Sequence, residues 1–221
     1  LAGLLPGRTY YVRAYATNGA GTAYGGEYVL TTDAPGPGNA LDFDGTDDYL
    51  ACGAGAALRP ASAMTVECWA RADSIVDGAA MACFAQNNGA AQSGYWLGFK
   101  GGNAVFRLKT EEMAQDAWNG IPGFASPPTG QWRHYAGVYD GANIELYVDG
   151  EPQGRLAATG AIDYDPAPAE FCIGAFRDDD EDRFFDGAID EARLWNIALT
   201  ESQIKQMMNR RVSSATLASG V

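Results

Sequence analysis

The sequence predicts an all-β protein built as an antiparallel sandwich, and two observations lead to this prediction. The first is a hairpin pattern over residues 131–150, in which larger or apolar side chains occupy every second position. This period of two is typical of β-strands, and Asp140-Gly141 and Asp149-Gly150 end the two runs with residues that favour tight turns. The second observation is a series of short strand-like runs separated by glycine-rich breaks. The alternating residues of the hairpin are Trp132, His134, Ala136 and Val138, followed by Ile144, Leu146 and Val148.

Composition limits the class of protein. The chain has 221 residues, of which 47% are hydrophobic, so it is long enough for one sizeable sandwich and a smaller piece. Its 28 acidic and 15 basic residues leave a formal net charge of -13. This charge disfavours nucleic acid and anionic membranes as partners, because both require a basic surface. No apolar run reaches the roughly 18 residues of a membrane span, so membrane insertion is not expected. An acidic surface suits an extracellular protein and offers oxygen ligands to calcium.

Residues 1–32 form a separate unit, in which Leu4 and Pro6 precede Tyr10 and the turn-forming Asn18-Gly19-Ala20-Gly21 separates two strand-like runs. The unit resembles the C-terminal part of a fibronectin type III domain, in which Tyr10 would be the corner tyrosine and Asn18-Gly19-Ala20-Gly21 the loop before the last strand. The match covers only the last third of such a domain. A two-stranded hairpin is marginally stable alone, so we expect its missing strands either upstream in a longer chain or from another chain by strand complementation. The second alternative predicts self-assembly through this hairpin.

A proline- and glycine-rich linker at 33–39 separates this unit from a larger domain at 40–210. Four motifs carry a resemblance in the larger domain: F-D-G-x-x-D-Y at 43–49, W-x-H-x-A-x-V-Y-D-G at 132–141, L-Y-V-D-G at 146–150 and G-x-I-D-E-x-R-x-W-N at 187–196. The domain resembles the laminin-G-like (LamG-like) jelly rolls, which are pentraxin-related members of the concanavalin A-like lectin and glucanase superfamily. The resemblance implies an antiparallel jelly-roll sandwich that ends in a short helix.

Further strand signals lie between these motifs. The run at 64–71 predicts a strand with Val66 and Cys68 on one face and Trp69 on the other. Similar runs follow in the segments AAMACFA, YWLGF, NAVFRLK and EFCIGAF. These runs supply the additional strands that a sandwich requires.

The last part of the domain predicts a short helix. Thr200 and Gln203 have the spacing of a capping box, and Ile204, Met207 and Met208 then fall on one helical face. Residues 211–221 are small and polar, which is typical of a tail or linker.

Residues 110–130 interrupt the strand pattern with prolines and glycines. A long loop in a compact domain is usually functional or mobile, so Trp118 and Phe124 are the candidate ligand-binding residues for a sugar. The alternative for Trp118 is that it packs the loop onto the body of the domain.

The acidic run at 177–183 is the candidate metal site. Its crowded carboxylates repel one another unless they are solvated or neutralised, and calcium takes six to eight oxygen ligands in flexible loops. The pentraxin branch places calcium in the equivalent loop with help from a polar pair after an earlier strand, so the resemblance implies calcium ligands at Asn87, Asp178, Asp179 and Asp180. The alternative is a solvated charge run. A second cluster, of Asp42, Asp44, Asp47 and Asp48, is sufficiently explained by turn formation.

The four cysteines are too scattered for a zinc site. Cys68 and Cys83 fall in successive strands that would be neighbours, which leaves Cys52 for Cys172. Two disulfides with this pairing are one hypothesis, and buried free thiols are the alternative.

The motifs favour a binding protein over an enzyme. The E-x-D-x-x-E triad of the related glucanases is absent, and His134, the only histidine, lies inside a predicted strand, where we expect it to be buried in the core. No nucleophile and base arrangement is apparent. We therefore expect a non-catalytic, secreted or cell-surface module that binds a glycan or an extracellular protein. The alternatives are a structural subunit assembled through the N-terminal hairpin and, third, a glycoside hydrolase.

Overall fold

In a computed structural model of the chain, the described residues are 9–31, 39–87, 91–114, 119–125, 127–168 and 170–210. They belong to two compact units, Leu1–Gly36 and Pro37–Val221. The predicted linker at 33–39 and the predicted tail at 211–221 fall almost entirely outside the described ranges, so their limits stay predictions.

The N-terminal unit is one long antiparallel hairpin interrupted near its middle. Its strands are β1 (Thr9–Val12), β2 (Tyr15–Asn18), β3 (Gly21–Tyr24) and β4 (Tyr28–Thr31). Strand β1 pairs with β4 and β2 with β3, and between the pairs the Gly25 N–H donates to the Ala14 carbonyl at 2.8 Å. Tyr11, Tyr15 and Tyr28 are each at least 70% exposed. The relation of this hairpin to fibronectin type III domains stays a prediction.

The larger unit contains two six-stranded antiparallel sheets. Sheet I has the order β11-β10-β9-β8-β15-β6, sheet II has the order β14-β13-β12-β7-β18-β5, and β16 pairs with β17 in a separate hairpin. The predicted all-β antiparallel sandwich with a short C-terminal helix is confirmed. The strands are β5 (Leu41–Asp44), β6 (Leu50–Ala51), β7 (Met64–Ala72), β8 (Ala80–Asn87), β9 (Gln92–Lys100), β10 (Asn103–Leu108), β11 (Asn119–Ala125), β12 (Arg133–Tyr139), β13 (Asn143–Val148), β14 (Glu151–Ala157), β15 (Cys172–Ile173), β16 (Ala175–Arg177), β17 (Asp182–Phe184) and β18 (Asp186–Trp195), with a single 3-10 turn at Ala56–Leu58.

The hairpin predicted at 131–150 is present as β12 and β13. Tyr139 faces Ile144 across the turn, and β14 continues the meander on the far side of β13. Asp140 closes the turn by accepting the backbone N–H groups of Ala142 and Asn143 at 2.8 and 2.6 Å. Asp149, which has a φ of 52°, ends the second strand.

Aromatic side chains join the two sheets across the core. Phe99 of β9 stacks on Phe185 with ring centroids 5.9 Å apart, and it meets Tyr135 of β12 edge-on at 6.4 Å. Full burial of a phenylalanine contributes about 1.5–3 kcal/mol. Gly137 lets the sheets approach here, because a Cβ at this position would lie 2.3 Å from the ring of Phe106. The core therefore sits between sheets I and II.

The predicted Cys68–Cys83 disulfide is wrong. Strands β7 and β8 follow each other in sequence but lie in different sheets. Cys68 points into the core, whereas Cys83 belongs to a cluster on the outward face of sheet I. The residue opposite Cys83 is Cys172. All four cysteines, including Cys52, are free thiols in the structure.

The C-terminal helix covers the outward face of sheet II. Helix α1 (Glu201–Met207) begins with the predicted capping box, in which Gln203 N–H donates to Thr200 Oγ1 and Thr200 N–H donates to Gln203 Oε1. Ile204 is fully buried against Ala136 and Val138 of β12. Of the helical segments that the structure describes, none has the length and apolar character needed to cross a membrane.

A buried pair of glutamate and histidine lies under this cover. Glu67 of β7 and His134 of β12 are both fully buried, with His134 Nε2 3.2 Å from Glu67 Oε2. Trp195 Nε1 donates to Glu67 Oε1 at 3.0 Å, and Arg193 lies 3.5 Å from the same oxygen. Burial alone would raise the pKa of Glu67, but His134, Trp195 and Arg193 outweigh it and lower that pKa from its usual value. His134 is thus buried, as expected, and joins β12 to the C-terminal strand through Glu67.

We expect Glu67→Gln to lower the free energy of unfolding at pH 7 by about 2–4 kcal/mol, because it breaks a buried charge cluster. The folded-state pKa of Glu67 is depressed, so its contribution is present above the unfolded pKa of about 4.3 and is lost as pH falls through the folded value. The difference between wild type and variant should therefore shrink in acid. Urea unfolding between about pH 3 and pH 7 measures it.

Glu201→Gln is the matched control for Glu67→Gln. Glu201 is exposed and pairs with Lys205 one helical turn away, so this change should cost less than about 0.5 kcal/mol. A Glu67→Gln protein as stable as wild type at pH 7, or a difference that persists undiminished in acid, would contradict the stabilising role of the pair.

Candidate functional site

The outward face of sheet I carries a groove, and strand alternation determines which residues reach it. Tyr95 and Leu97 of β9 point into the core, whereas Trp96 between them points outward. Phe176 of β16 crosses above this face, and its ring lies 5.5 Å from that of Trp96. The cavity beside these rings, the outer groove, has a volume of about 290 Å³. It is lined by Asp77, Gly78, Asn87, Trp96, Lys100, Arg107, Phe176, Glu181 and Arg183.

Trp96 forms the buried wall of the outer groove. It is only 5% exposed, and its indole Nε1 has no acceptor within the described part of the chain. Gly98 makes room for this ring, because a Cβ there would lie 2.3 Å from Nε1. Glycine at 98 is therefore required by the position of the indole.

Two of the basic residues in the outer groove are neutralised by neighbours. Lys100 Nζ lies 2.9 Å from Asp77, and Arg183 lies 3.0 Å from Glu181. The Lys100 ammonium and the Gly101 N–H lower the pKa of Asp77 from its usual value. Both groove carboxylates are thus paired with a cation.

Arg107 differs from the other two cations. Its guanidinium carbon lies 5.7 Å from the centre of the Trp96 ring, and its Nε is buried with no acceptor among the described residues. Burial lowers the pKa of Arg107 from its usual value, and the charge of Asp77 acts in the opposite direction. The outer groove therefore contains one guanidinium that no described carboxylate pairs with.

The acidic loop between β16 and β17 forms the rim of the outer groove. Asp178 accepts backbone N–H groups from Asn87 at 3.0 Å, Asp180 at 3.1 Å and Glu181 at 2.8 Å. Burial raises the pKa of Asp178, while these three N–H donors oppose the rise. Two predicted calcium ligands, Asn87 and Asp178, are thus neighbours, but the contact that joins them is a loop-closing hydrogen bond. Asp179 and Asp180 are exposed.

The carboxylates of this loop do not converge on one point. Considering only histidine, cysteine and acidic residues in the described ranges, one group, Asp44, Asp47 and Asp48, places its ligand atoms within 4.8 Å of one another. Asp44 there accepts the Thr46 N–H at 2.8 Å, as expected for a turn. Calcium binding by Asn87, Asp178, Asp179 and Asp180 stays a prediction that would require their side chains to rearrange.

The side chains of the two predicted ligand-binding residues lie outside the part of the chain that the structure describes. Trp118 lies outside the described residues, and for Phe124 the structure describes only a backbone position, opposite Ala104 in β11. The predicted irregular loop at 110–130 is partly wrong, since β11 occupies 119–125 of it. Pro122 and the neighbouring glycines are typical of a loop, so the sequence pattern did not indicate this strand. The strand lies at the edge of sheet I, where proline is tolerated.

Sequence reasoning missed Trp96 and Arg107 as site residues. Both lie in runs that were correctly assigned to strands, and their outward orientation follows from the alternation with Leu97 and Phe106. A tryptophan or arginine on the face away from the core was the available signal.

Solved structures with a similar fold include domain 4 of AbnA, a GH43 extracellular arabinanase from Geobacillus stearothermophilus, in complex with arabinotriose. It has a TM-score of 0.52 and 21% identity, with coverage of 89% of this chain and 81% of that one. A putative carbohydrate binding protein from Bacteroides ovatus has a TM-score of 0.59 and 20% identity, and the match covers 92% of this chain and 57% of the other. The CBM40 of Ruminococcus gnavus IT-sialidase, bound to α2,3-sialyllactose, has a TM-score of 0.58 and 10% identity, with coverage of 77% and 98%.

At these identities the likeness shows the fold alone. No curated protein matches the chain in sequence. The comparison with protein families shows more than the fold. The family described as the concanavalin A-like lectin/glucanases superfamily matches residues 44–205, which is most of the larger unit. With its two antiparallel sheets and its closing helix, the chain belongs to the concanavalin A-like lectin/glucanases superfamily.

Proposed function

We propose that the chain is a non-catalytic, extracellular binding module that recognises a glycan through the outer groove. The observation that carries the proposal is the cavity of about 290 Å³ with Trp96 and Phe176 in its wall and charged side chains around them. A pocket of this size is at the lower end of the range for small-molecule sites, and it combines apolar surface with a few convergent polar groups. A single sugar residue has this mixed character. The bound arabinotriose and sialyllactose of the two structures with similar folds support a glycan ligand.

The cation pairs of the groove carboxylates support a non-catalytic role. Glycoside hydrolysis requires one carboxyl group that is protonated and a second that is ionised. The Lys100 ammonium and the Gly101 N–H lower the pKa of Asp77, so Asp77 is not suited to donate a proton to a leaving group. Glu181 is paired with Arg183.

We expect the chain to bind at least one class of oligosaccharide on a glycan array, and Trp96→Phe to weaken that binding about tenfold. The substitution removes part of the aromatic wall and the indole N–H but keeps a ring of similar shape, so the fold should survive. Calorimetry with the best array ligand measures the affinity, and thermal melting checks the fold. A tenfold loss corresponds to about 1.4 kcal/mol.

Trp132→Phe is the matched control, because Trp132 packs against Arg71 away from the outer groove. It should leave glycan affinity unchanged. An array that retains no glycan, or equal losses in the two variants, would rule out the outer groove as a glycan site. Retention of an extracellular protein instead would point to the protein-binding alternative.

Calcium dependence is a finer part of the proposal. With a dissociation constant near 10⁻⁴ M, as in many extracellular modules, about 1 mM calcium would stabilise the fold by about 1.4 kcal/mol. We expect this to raise the melting temperature by about 3–6 °C. Asp178→Asn should remove the effect if the acidic loop is the site.

Asp44→Asn is the companion variant for the calcium experiment, because Asp44 belongs to the other acidic cluster. A calcium response that survives Asp178→Asn but disappears in Asp44→Asn would move the ion to that cluster. No response of the wild-type protein at millimolar calcium would count against calcium binding as a whole.

The N-terminal hairpin favours a second candidate function, that of a structural subunit assembled by strand complementation. Tyr11 and Tyr28 in the β1–β4 pair and Tyr15 in the β2–β3 pair are highly exposed, and each pair has two strands in the described residues. Such edges and apolar faces favour pairing with another chain. On this candidate, light scattering should show concentration-dependent association, and Tyr28→Asp should abolish it. Tyr49→Asp, in the larger unit, is the control, and a monodisperse wild-type monomer at high concentration would exclude assembly.

A further inference from the structure

The charge balance inside the outer groove is unlike that of the whole protein. The chain has 28 acidic and 15 basic residues, whereas the groove lining contains three basic residues, Lys100, Arg107 and Arg183, and two acidic ones, Asp77 and Glu181. The two carboxylates pair with Lys100 and Arg183 at 2.9 and 3.0 Å. After this pairing, the positive charge that remains belongs to Arg107.

Arg107 is held in position before any ligand arrives. It faces Gly120 across the β10–β11 pair, and a Cβ at that glycine would lie 2.2 Å from Arg107 Cγ. Glycine therefore leaves a channel for the arginine stem. The head group lies near the Trp96 ring, which limits the orientations of the guanidinium plane.

An arginine in this setting has unused binding capacity. Burial of a donor without a partner is costly, and the buried Nε of the half-buried Arg107 has no acceptor among the residues that the structure describes, while its guanidinium lies near the Trp96 ring. A planar guanidinium matches the two oxygens of a carboxylate through parallel N–H donors. A ligand carboxylate would thus compensate the charge that the protein itself leaves unpaired.

We propose, resting on the proposed glycan function, that the outer groove selects a saccharide bearing a carboxylate and that Arg107 binds this carboxylate. Trp96 and Phe176, which are 5% and 3% exposed, form the apolar wall behind the same sugar residue. The ligand belongs to the class of uronic or sialic acid sugars.

The charge at the rim of the outer groove further limits the class of acidic sugars that can bind. Next to the outer groove, Asp180, Glu181, Asp182 and Arg183 line a wider pocket that opens to solvent. Glu181 pairs there with Arg183 and Asp182 with Arg177, so that among the described residues Asp180 supplies the negative charge that no cation pairs with. Like charges there repel a second anionic group over distances of about 8–10 Å at physiological salt. The preferred ligand therefore carries one isolated acidic sugar beside neutral ones, and a polyuronate chain is disfavoured.

Matched pairs of sugars test the inference. The probes are glucuronic acid linked to a neutral hexose against its carboxyl-reduced form, and 3′-sialyllactose against lactose, with tetragalacturonate as the polyanion and lactose 3′-sulfate as the sulfated analogue. We expect at least one acidic member to bind about tenfold or more tightly than its neutral partner by calorimetry, and more tightly than the polyanion. A charged hydrogen bond of about 1.5–3 kcal/mol corresponds to this discrimination.

Variants of the full chain separate the role of Arg107 from general folding effects. Arg107→Gln should reduce affinity for the acidic sugar by about 10- to 100-fold and reduce affinity for the neutral partner by a much smaller factor. Arg107→Lys, which keeps the charge but loses the planar fork, should recover only part of the loss. Arg155→Gln is the control, because Arg155 pairs with Glu145 in sheet II and does not line the outer groove, and it should leave both affinities unchanged. Without ligand, Arg107→Gln should melt no lower than wild type.

The outcomes distinguish this inference from the proposed function. Equal binding of acidic and neutral partners would overturn the carboxylate preference while keeping the glycan site. Preference for lactose 3′-sulfate over 3′-sialyllactose would likewise overturn it, and tighter binding of tetragalacturonate would overturn the isolated-charge requirement. Binding of no saccharide at all would remove the proposed function itself, and the inference with it.

Discussion

The alternation of side chains along each β-strand is the constraint on which the rest of this structure depends. One face of each sheet is used by the core, where Phe99, Tyr135 and Phe185 join the sheets. The side chains between the core positions therefore point to the outward face of their sheet. Polar and aromatic residues that cannot enter the core, such as Glu67 and Trp96, collect there. The location of this protein's chemistry is thus a consequence of packing at the neighbouring positions.

The two outward faces meet this requirement in opposite ways. On sheet II, the C-terminal segment seals the face, so that Glu67 and His134 are paired in a site closed to solvent. On sheet I, a short hairpin crosses the face only in part, and Trp96 and Arg107 are left beside a cavity. The sealed face contributes stability and offers no access to a ligand. The partly covered face contributes less stability, because the buried Nε of Arg107 has no acceptor among the described residues. It leaves a surface that can bind a ligand.

Local signals in the sequence were sufficient for local structure. The turn residues around Asp140 and the spacing of Thr200 and Gln203 predicted the central hairpin and the helix start, because both depend on contacts a few residues apart. Long-range pairing was not accessible in the same way. Cys68 and Cys83 lie in strands that follow each other in sequence but belong to different sheets. No local signal indicates which strands become neighbours. Alternation also assigns Trp96 to an outward face but does not indicate whether a later segment covers it, so the sequence favours the loop of Trp118 as the candidate site.

The hydrogen bond from the Asn87 N–H to Asp178 connects positions 91 residues apart. It attaches the hairpin of β16 and β17 to the end of β8 through a backbone donor, which is present whatever side chain occupies position 87. The attachment therefore makes few demands on the rest of the hairpin sequence. We therefore expect substitutions at 179–181 to change the charge at the rim of the outer groove without detaching the hairpin, because Asp178 is held through backbone N–H groups.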